Sequence, residues 1–289
     1  MIGSLFTRFA AEGSGPTVHV APAPVFEIGG LVITNSILYG WVCALVITVF
    51  LIWVARRVTV KPKGGIVQFI EVGADFITNL VESSFDNKKI GRKYVPFFVT
   101  LFFFILLNNW LGLLPIVGEG LQSDGNPLFR PFTGDLNGTF AIGVVTMLMV
   151  YGASVYEAGG PLKYLRHFFI GSPKNPLFFG IGLLEMFTDL TRVLSLSLRL
   201  FLNITIGEIV IAVFAYLGSI AAPLTALPFY MLEFLVAALQ AYIFTILATM
   251  YLAIAVNHAE EHAGEADLTE DSVPETIGAT PSGAAHGRA

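Results

Sequence analysis

The stretch Val193-Leu-Ser-Leu-Ser-Leu-Arg199-Leu-Phe-Leu-Asn203-Ile204 decides how this chain folds. Apart from its few polar residues, it has the composition of a helix that is soluble in lipid. A guanidinium group stays charged at physiological pH, and placing it in the middle of a bilayer costs at least about 2.5–3.5 kcal/mol. Arg199 therefore needs an anionic or polar partner, and the nature of that partner bears directly on function.

The overall composition is that of an integral membrane protein. Of the 289 residues, 55% are hydrophobic and only 13% are charged, whereas soluble domains carry about 25% charged residues. The single cysteine, Cys43, allows no internal disulfide and is interpreted as a core residue. The first eleven residues have no sustained apolar core, so we expect no cleavable signal peptide.

Five apolar segments are long enough to enter or cross a bilayer as helices, at about 31–55, 94–115, 139–156, 176–220 and 229–256. From Ile66 to Phe85, apolar residues recur at helical spacing opposite a polar face, which predicts an amphipathic helix on the membrane surface. A cytoplasmic helix packed on another subunit is the alternative. The sequence thus predicts an all-α membrane protein with an N-terminal spanning helix, this surface helix, a transmembrane hairpin, and two long tilted C-terminal helices forming a second hairpin.

The fourth apolar segment is unusually long. It has no internal proline from Pro176 to Ile220, so one helix there would reach about 65 Å at 1.5 Å per residue. The hydrocarbon layer is only about 30 Å thick. The segment must therefore either tilt strongly or break near Gly180–Gly182, and the sequence leaves both alternatives open. Pro223 and Pro228 bracket the turn to the last helix.

Charge distribution predicts the orientation and the division of the chain. Basic residues cluster in two loops: Arg56, Arg57, Lys61, Lys63, Lys88, Lys89, Arg92 and Lys93 in the first, and Lys163, Arg166 and Lys174 in the second. Cytoplasmic loops are the ones enriched in Lys and Arg, so we expect the N-terminus outside and the C-terminus in the cytoplasm. The predicted parts are an external segment, 1–30, one membrane domain, 31–258, and an acidic disordered cytoplasmic tail, 259–289.

A line of polar residues follows the helix around Arg199. At about 100° per residue, the members within about 40° of one line are Glu185, Arg192, Ser195, Arg199 and Asn203. Such a line faces water or protein rather than lipid. Asp189 precedes Arg192 by three residues, so these two can form a local ion pair of purely structural importance. Arg199 has no acid within reach in its own helix, because Glu208 lies about 13–14 Å along the axis on the opposite face.

The partner of Arg199 must come from elsewhere. Glu233 in the last helix could form a static pair with it, but we favour a carboxylate of another subunit. Glu208 lies in an apolar run, where a carboxyl group can take up and release a proton near neutral pH. Glu233, Gln240 and Tyr251 form a second polar line on the last helix. The two lines could frame one aqueous path, or they could act as interhelical hydrogen-bonding contacts.

No pattern of a soluble enzyme is present. The run His258-Ala-Glu260-Glu261-His262 differs from the H-E-x-x-H zinc motif, and we expect no metal there. The chain has no phosphate-binding loop, no dinucleotide motif and no nucleophile elbow. We therefore predict no cofactor and no catalytic residue.

Three motifs give the chain a family resemblance. These are Ser195-Leu-Ser-Leu-Arg199-Leu-Phe-Leu-Asn203-Ile-Thr-Ile-Gly207-Glu208, then Leu239-Gln240-Ala241-Tyr242-Ile243-Phe244, and Asn109-Trp-Leu-Gly-Leu-Leu-Pro115. From Phe26 to His262, the chain resembles subunit a of the bacterial F-type ATP synthases. The resemblance implies a non-catalytic, multi-pass subunit of the bacterial inner membrane, in the stator of the Fo sector, with two offset half-channels that load and unload protons on the c-ring. Its implied partners are the c-ring, the subunit b stalk and the rest of the F1Fo complex.

The resemblance also implies roles for individual residues. Arg199 matches the arginine that faces the c-ring carboxylates, and the matches to polar residues of the ion path are Asn203, Glu208, Gln240 and Glu185. Glu233 stands where the family often has histidine, so two carboxyl groups sharing a proton are expected here instead of a histidine relay. Leu202 replaces a common glycine. A stand-alone channel or secondary transporter is the alternative function, and a purely structural membrane anchor is a third.

Overall fold

A computed structural model of the protein describes residues 24–28, 31–58, 65–114, 117, 122–123, 126–127, 129–157, 160, 176–218 and 221–270. In these ranges there are six α-helices: α1 Asn35–Ala55, α2 Ile66–Ser84, α3 Lys88–Gly112, α4 Leu136–Glu157, α5 Pro176–Gly218 and α6 Ala222–Glu270. All but α2 contain a stretch long and apolar enough to cross a membrane. The predicted all-α membrane fold is confirmed.

Two short hairpins were not predicted. Strand β1, Pro24–Ile28, pairs antiparallel with β2, Leu31–Thr34, and β3, Gln122–Ser123, pairs with β4, Asn126–Pro127. The first apolar segment therefore becomes helical only at Asn35, and the prediction that its helix begins near residue 31 was wrong. The run Leu-Val-Ile-Thr in β2 is mostly β-branched, and such residues favour strands.

The amphipathic segment is a helix, as predicted, and it runs antiparallel along α3. Phe85, just after α2, stacks on Tyr94 near the start of α3 with ring centroids 6.4 Å apart, while Phe69 at the other end stacks on Trp110 at 6.3 Å. One face of α2 is buried through Ile70, Ile77 and Val81, and a second apolar row is exposed. Its position on the membrane surface stays a prediction.

The fourth apolar segment forms one unbroken helix, α5. The helix continues through Gly180. No proline follows Pro176 in this segment, so every later residue has a backbone N–H that can donate to the helix. At 1.5 Å per residue, α5 is about 65 Å long, and it fits a hydrocarbon layer of about 30 Å only when strongly tilted. The alternative with a break near Gly180–Gly182 is excluded.

The last helix is longer at both ends than predicted. It begins at Ala222 and includes Pro228. Proline removes one backbone hydrogen bond from the helix. Packing against α5 stabilises the first turns of α6 instead: the ring centroids of Phe229 and Phe214 are 3.8 Å apart, and Thr225 Oγ1 donates to the Phe214 carbonyl at 2.9 Å. At the other end, the backbone is helical to Glu270, where disorder was predicted from 259. Alanine and glutamate favour helix there, and residues 271–289 lie outside the described part.

A 3₁₀ turn, Phe132–Gly134, precedes α4 and contacts α1, α3, α4 and α5. The Phe132 ring lies between two glycines, since a β-carbon added at Gly40 would come within 2.6 Å of it and one at Gly138 within 2.9 Å. The absence of side chains at these two positions lets α1 and α4 close on the ring. The turn is therefore packed tightly between α1 and α4.

Candidate functional site

The two helices that carry the predicted polar lines, α5 and α6, pack as an antiparallel hairpin. Arg192 of α5 makes a cation–π contact with Tyr251 of α6, in which the guanidinium carbon lies 4.9 Å from the ring centroid. About three helical turns further along α5, Asn203 lines a cavity between α5 and α6. The two lines therefore meet at the Arg192–Tyr251 contact and at this cavity, whereas Ser195 and Arg199, between these two points, are exposed.

The Arg199 side chain is exposed rather than buried between α5 and α6. Within the described residues, no hydrogen bond or salt bridge joins it to any side chain, since the two salt bridges there are Arg92–Glu82 and Lys93–Glu157. Its surroundings are apolar, with Leu198 and Leu202 40% and 47% exposed. A charge on such a face is stable in a membrane only against a polar or anionic partner.

Glu233 does not pair with Arg199. It is 4% exposed, and its carboxyl group packs against Gly207, in the next turn of α5 after Asn203. Glu208 follows directly and is half-buried, and the charges of the two glutamates act on each other. The structure thus brings these two carboxyl groups into one buried region, apart from the exposed arginine.

A cavity of about 210 Å³ lies between α5 and α6 at this level. Most of its lining is apolar, but Asn203 and Glu233 contribute polar atoms. The Asn203 amide nitrogen and one Glu233 carboxyl oxygen are buried without a hydrogen-bond partner among the described residues. Buried polar groups of this kind are normally satisfied by water or by an ion, and the cavity has room for several water molecules.

Buried amides continue the polar region onto α3. Gln240 is 5% exposed and its amide nitrogen has no partner among the described residues. Beside it on α6, the Ala237 carbonyl accepts a hydrogen bond of 3.4 Å from Asn109 Nδ2, and both polar atoms of the neighbouring Asn108 are buried and unpartnered within the described part. In the sequence these two asparagines only interrupted an apolar run, so their contribution was missed.

The segment 130–135, which contains the 3₁₀ turn and which we call the α4 entry turn, also carries charged residues that sequence reasoning missed. Arg130 is 4% exposed, and its Nη2 donates to the Gly134 carbonyl at 2.9 Å. A β-carbon added at Gly134 would lie 3.6 Å and 3.8 Å from the two carboxyl oxygens of Glu208. The signal was present as the one basic residue between positions 117 and 137, with Asp135 five residues after it, but nothing local linked either residue to Glu208.

Three further sequence predictions stay predictions. Ser195 is exposed one helical turn before Arg199, and its role stays a prediction. The side chains of Glu185 and Asp189 lie outside the described part, so the proposed Arg192–Asp189 pair stays a prediction. The side chains from His258 to His262 also lie outside it. In the part that the structure does describe, no three His, Cys, Asp or Glu side chains are placed to hold a metal ion.

Several bilayer-length helices that enclose buried carboxyl and amide groups define a multi-pass membrane protein. A family model described as ATP synthase A chain matches residues 37–253. Three similar proteins are ATP synthase subunit a of Chloroherpeton thalassium, 33% identical over 84% of this chain and 72% of that protein; subunit a of Gloeobacter violaceus, 30% identical over 85% and 93%; and subunit a 2 of Chlorobaculum tepidum, 31% identical over 89% and 72%. The chain belongs to the ATP synthase A chain family.

Proposed function

We propose that this chain is the ion-translocating stator subunit of the Fo sector of an ATP synthase. In this role it provides two offset half-channels through which protons load and unload carboxyl groups on a rotating c-ring, and it performs no covalent chemistry itself. The single observation that carries the proposal is the separation of charges: Arg199 is exposed on an apolar face, whereas Glu233 is buried at the wall of a cavity with the half-buried Glu208 nearby. The first needs a partner from another chain, and the second suits proton transfer.

Protons would enter from the outside through the cavity lined by Asn203 and Glu233. The carboxyl groups of Glu208 and Glu233 pass a proton to a c-ring carboxylate, which is then neutral and can turn into lipid. After rotation, the next ring carboxyl group meets Arg199. The guanidinium favours the ionised form of that carboxyl, so the proton leaves towards the cytoplasm, along the side where Glu185 and Arg192 lie. The same fixed charge blocks direct proton passage between the half-channels.

The remaining assignments follow from the same role. The partners are the c-ring, the subunit b stalk and the rest of the F1Fo complex, and the location is the bacterial inner membrane. The N-terminus lies outside and the C-terminus lies in the cytoplasm, because the basic loops are cytoplasmic. Each charge that crosses the membrane contributes about 2.3 kcal/mol per 100 mV to rotation.

Proton pumping by the whole synthase tests the role of Arg199. In inverted membrane vesicles, we expect Arg199→Lys to abolish ATP-driven acidification, because lysine is a point charge and lacks the planar fork of a guanidinium. Arg92→Lys is the matched control, since Arg92 is an exposed arginine of α3 that pairs with Glu82 at 3.7 Å. Retained pumping in Arg199→Lys contradicts the proposal.

A second measurement separates this role from a stand-alone channel or transporter. The purified chain alone, in liposomes with an imposed potential, is expected to carry no specific proton flux, because its route requires ring carboxyl groups. Flux from the chain alone that disappears in Glu233→Gln supports the channel. Full function of Arg199 and Glu233 variants in the assembled complex supports a structural anchor.

A further inference from the structure

The α4 entry turn, residues 130–135, places the buried cation of Arg130 next to Glu208. Arg130 and Glu208 are 78 positions apart in sequence, yet both meet at Gly134: Arg130 donates to its carbonyl at 2.9 Å, and the Glu208 carboxyl oxygens lie beside its α-carbon. Their charges are close enough to interact. A cation that is 4% exposed is costly to bury unless an anion stands near it.

The turn that carries Arg130 is fixed from two sides. Asp135 accepts a short hydrogen bond from Ser36 Oγ, at the start of α1, and another of 3.0 Å from the Asn137 backbone N–H. Because Asp135 is occupied in this way, it holds the turn to α1. Phe132, clamped between Gly40 and Gly138, fixes the turn from the other side.

The charged and titratable groups around Glu208 suggest how the two acids differ. Arg130 comes from the turn, and Glu233 and Tyr230 come from α6. Only Glu233 lines the cavity between α5 and α6. One acid is therefore next to a cation, and the other borders the space through which a proton would arrive.

We propose that Arg130 is a positioning residue of the outer half-channel, which holds Glu208 as its paired anion and leaves Glu233 as the proton carrier. This inference rests on the proposed function and assigns different tasks to two acids that sequence reasoning treated as equivalent. The Ser36–Asp135 hydrogen bond and the packing of Phe132 hold the turn, and with it Arg130, in place.

The external-pH dependence of ATP synthesis by the whole synthase tests this role. In proteoliposomes at a constant imposed potential, the rate falls at alkaline external pH as the entry carboxyl loses its proton. Removing the cation in Arg130→Gln makes protons bind more tightly, so we expect this fall to move to higher pH by about one unit, in line with the effect of a nearby opposite charge. The maximal rate is expected to drop because release to the ring is slower.

Conservative variants distinguish this role from a structural one. Arg130→Lys keeps the charge, so its alkaline fall is expected to stay within a few tenths of a pH unit of the wild type. An unchanged profile in Arg130→Gln overturns the inference. If Arg130→Gln does not assemble, the double variant Arg130→Gln/Glu208→Gln decides: because it removes both charges, recovered assembly supports the pairing, and equal failure overturns it.

The failure of this inference differs from a failure of the proposed function. Loss of pumping in Arg199→Lys together with an unchanged Arg130→Gln profile refutes only the role of Arg130. Retained pumping in Arg199→Lys refutes the proposed function, whatever the Arg130 variants do.

Discussion

The carboxyl group of Glu233 on α6 packs directly on Gly207 of α5, where a β-carbon would collide with it. The buried Glu233 carboxyl group occupies the space that a side chain at position 207 would fill. The contact also places the acid one turn beyond Asn203, at the wall of the cavity between the two helices.

Substituting Gly207 with alanine is expected to impair transport more than folding. The atoms that would collide belong to the mobile end of the Glu233 side chain, so the carboxyl group can move aside without a large loss of stability. Ångström-scale displacement of a reacting group costs up to about 100-fold in rate, and we expect ATP-driven pumping to fall by roughly tenfold or more. Gly180→Ala in the same helix is the control, because its β-carbon meets nothing within 4 Å. Equal pumping in the two variants contradicts the prediction.

Removing both acids from the buried pair should stop proton flux. In Glu208→Gln/Glu233→Gln, no carboxyl group remains beside the cavity to exchange a proton. We expect ATP-driven acidification of inverted vesicles to be lost while ATP hydrolysis by detached F1 persists. Asp75→Asn, which changes an exposed acid on α2, serves as the control. Unchanged flux in the double variant would remove both residues from the path.

A polar clasp between α3 and α4 is expected to contribute to stability alone. Glu157 accepts from Lys93 Nζ at 2.7 Å and from Tyr94 Oη at 2.6 Å, and Lys93 lies 3.8 Å from the ring centroid of Tyr156. Because the pair is only partly buried, we expect Glu157→Gln to cost about 1–2 kcal/mol of unfolding free energy. Thermal unfolding of the purified synthase in detergent measures this change.

A double-variant cycle identifies the source of that stability. If Lys93 and Glu157 interact directly, then Lys93→Met combined with Glu157→Gln should cost less than the sum of the single changes, by about 0.5–1 kcal/mol. Pumping per assembled complex should stay at the wild-type level in all three variants. Strict additivity, or a loss of pumping, shows that the clasp has another role.

Gly138 should tolerate no side chain. A β-carbon there would collide with the backbone carbonyl of Phe132, and a backbone atom cannot rotate away. We expect Gly138→Ala to destabilise the protein by about 1–3 kcal/mol, as overpacking does, with a lower thermal midpoint in detergent. Gly152→Ala, also in α4, is the control, because its β-carbon would meet nothing within 4 Å. A midpoint equal to that of the control would show that the turn can shift.

Local patterns predicted the helices and several buried polar side chains. Hydrophobic length identified all five spanning segments, and helical spacing assigned Asn203 on α5 and Glu233 and Gln240 on α6 to polar lines whose side chains reach the interior of the hairpin. These features depend on residues close together in sequence, so the sequence alone was sufficient. The length of α5 limited its form to two alternatives, and the structure selected the unbroken helix.

Long-range contacts explain what was missed. Arg130 and Glu208 meet through a turn whose position depends on Ser36 and Phe132, and no spacing rule connects such distant residues. Pro223 and Pro228 were predicted to bracket the turn before the last helix, but that helix begins at Ala222 and includes Pro228, because packing of Phe229 on Phe214 outweighs the local preference of proline. The hairpin of β1 and β2 was hidden because its β-branched residues are as apolar as the helix that follows.

The exposure of Arg199 has a consequence for how fast the proposed machine could turn. An arginine locked by its own chain would keep one counter-ion for good, and each step would first have to break that bond. Arg199 is held by no salt bridge among the described residues, so under the proposed function it would exchange one ring carboxylate for the next without first breaking an ion pair within its own chain. Release of such a pair would then not limit the speed of the rotor.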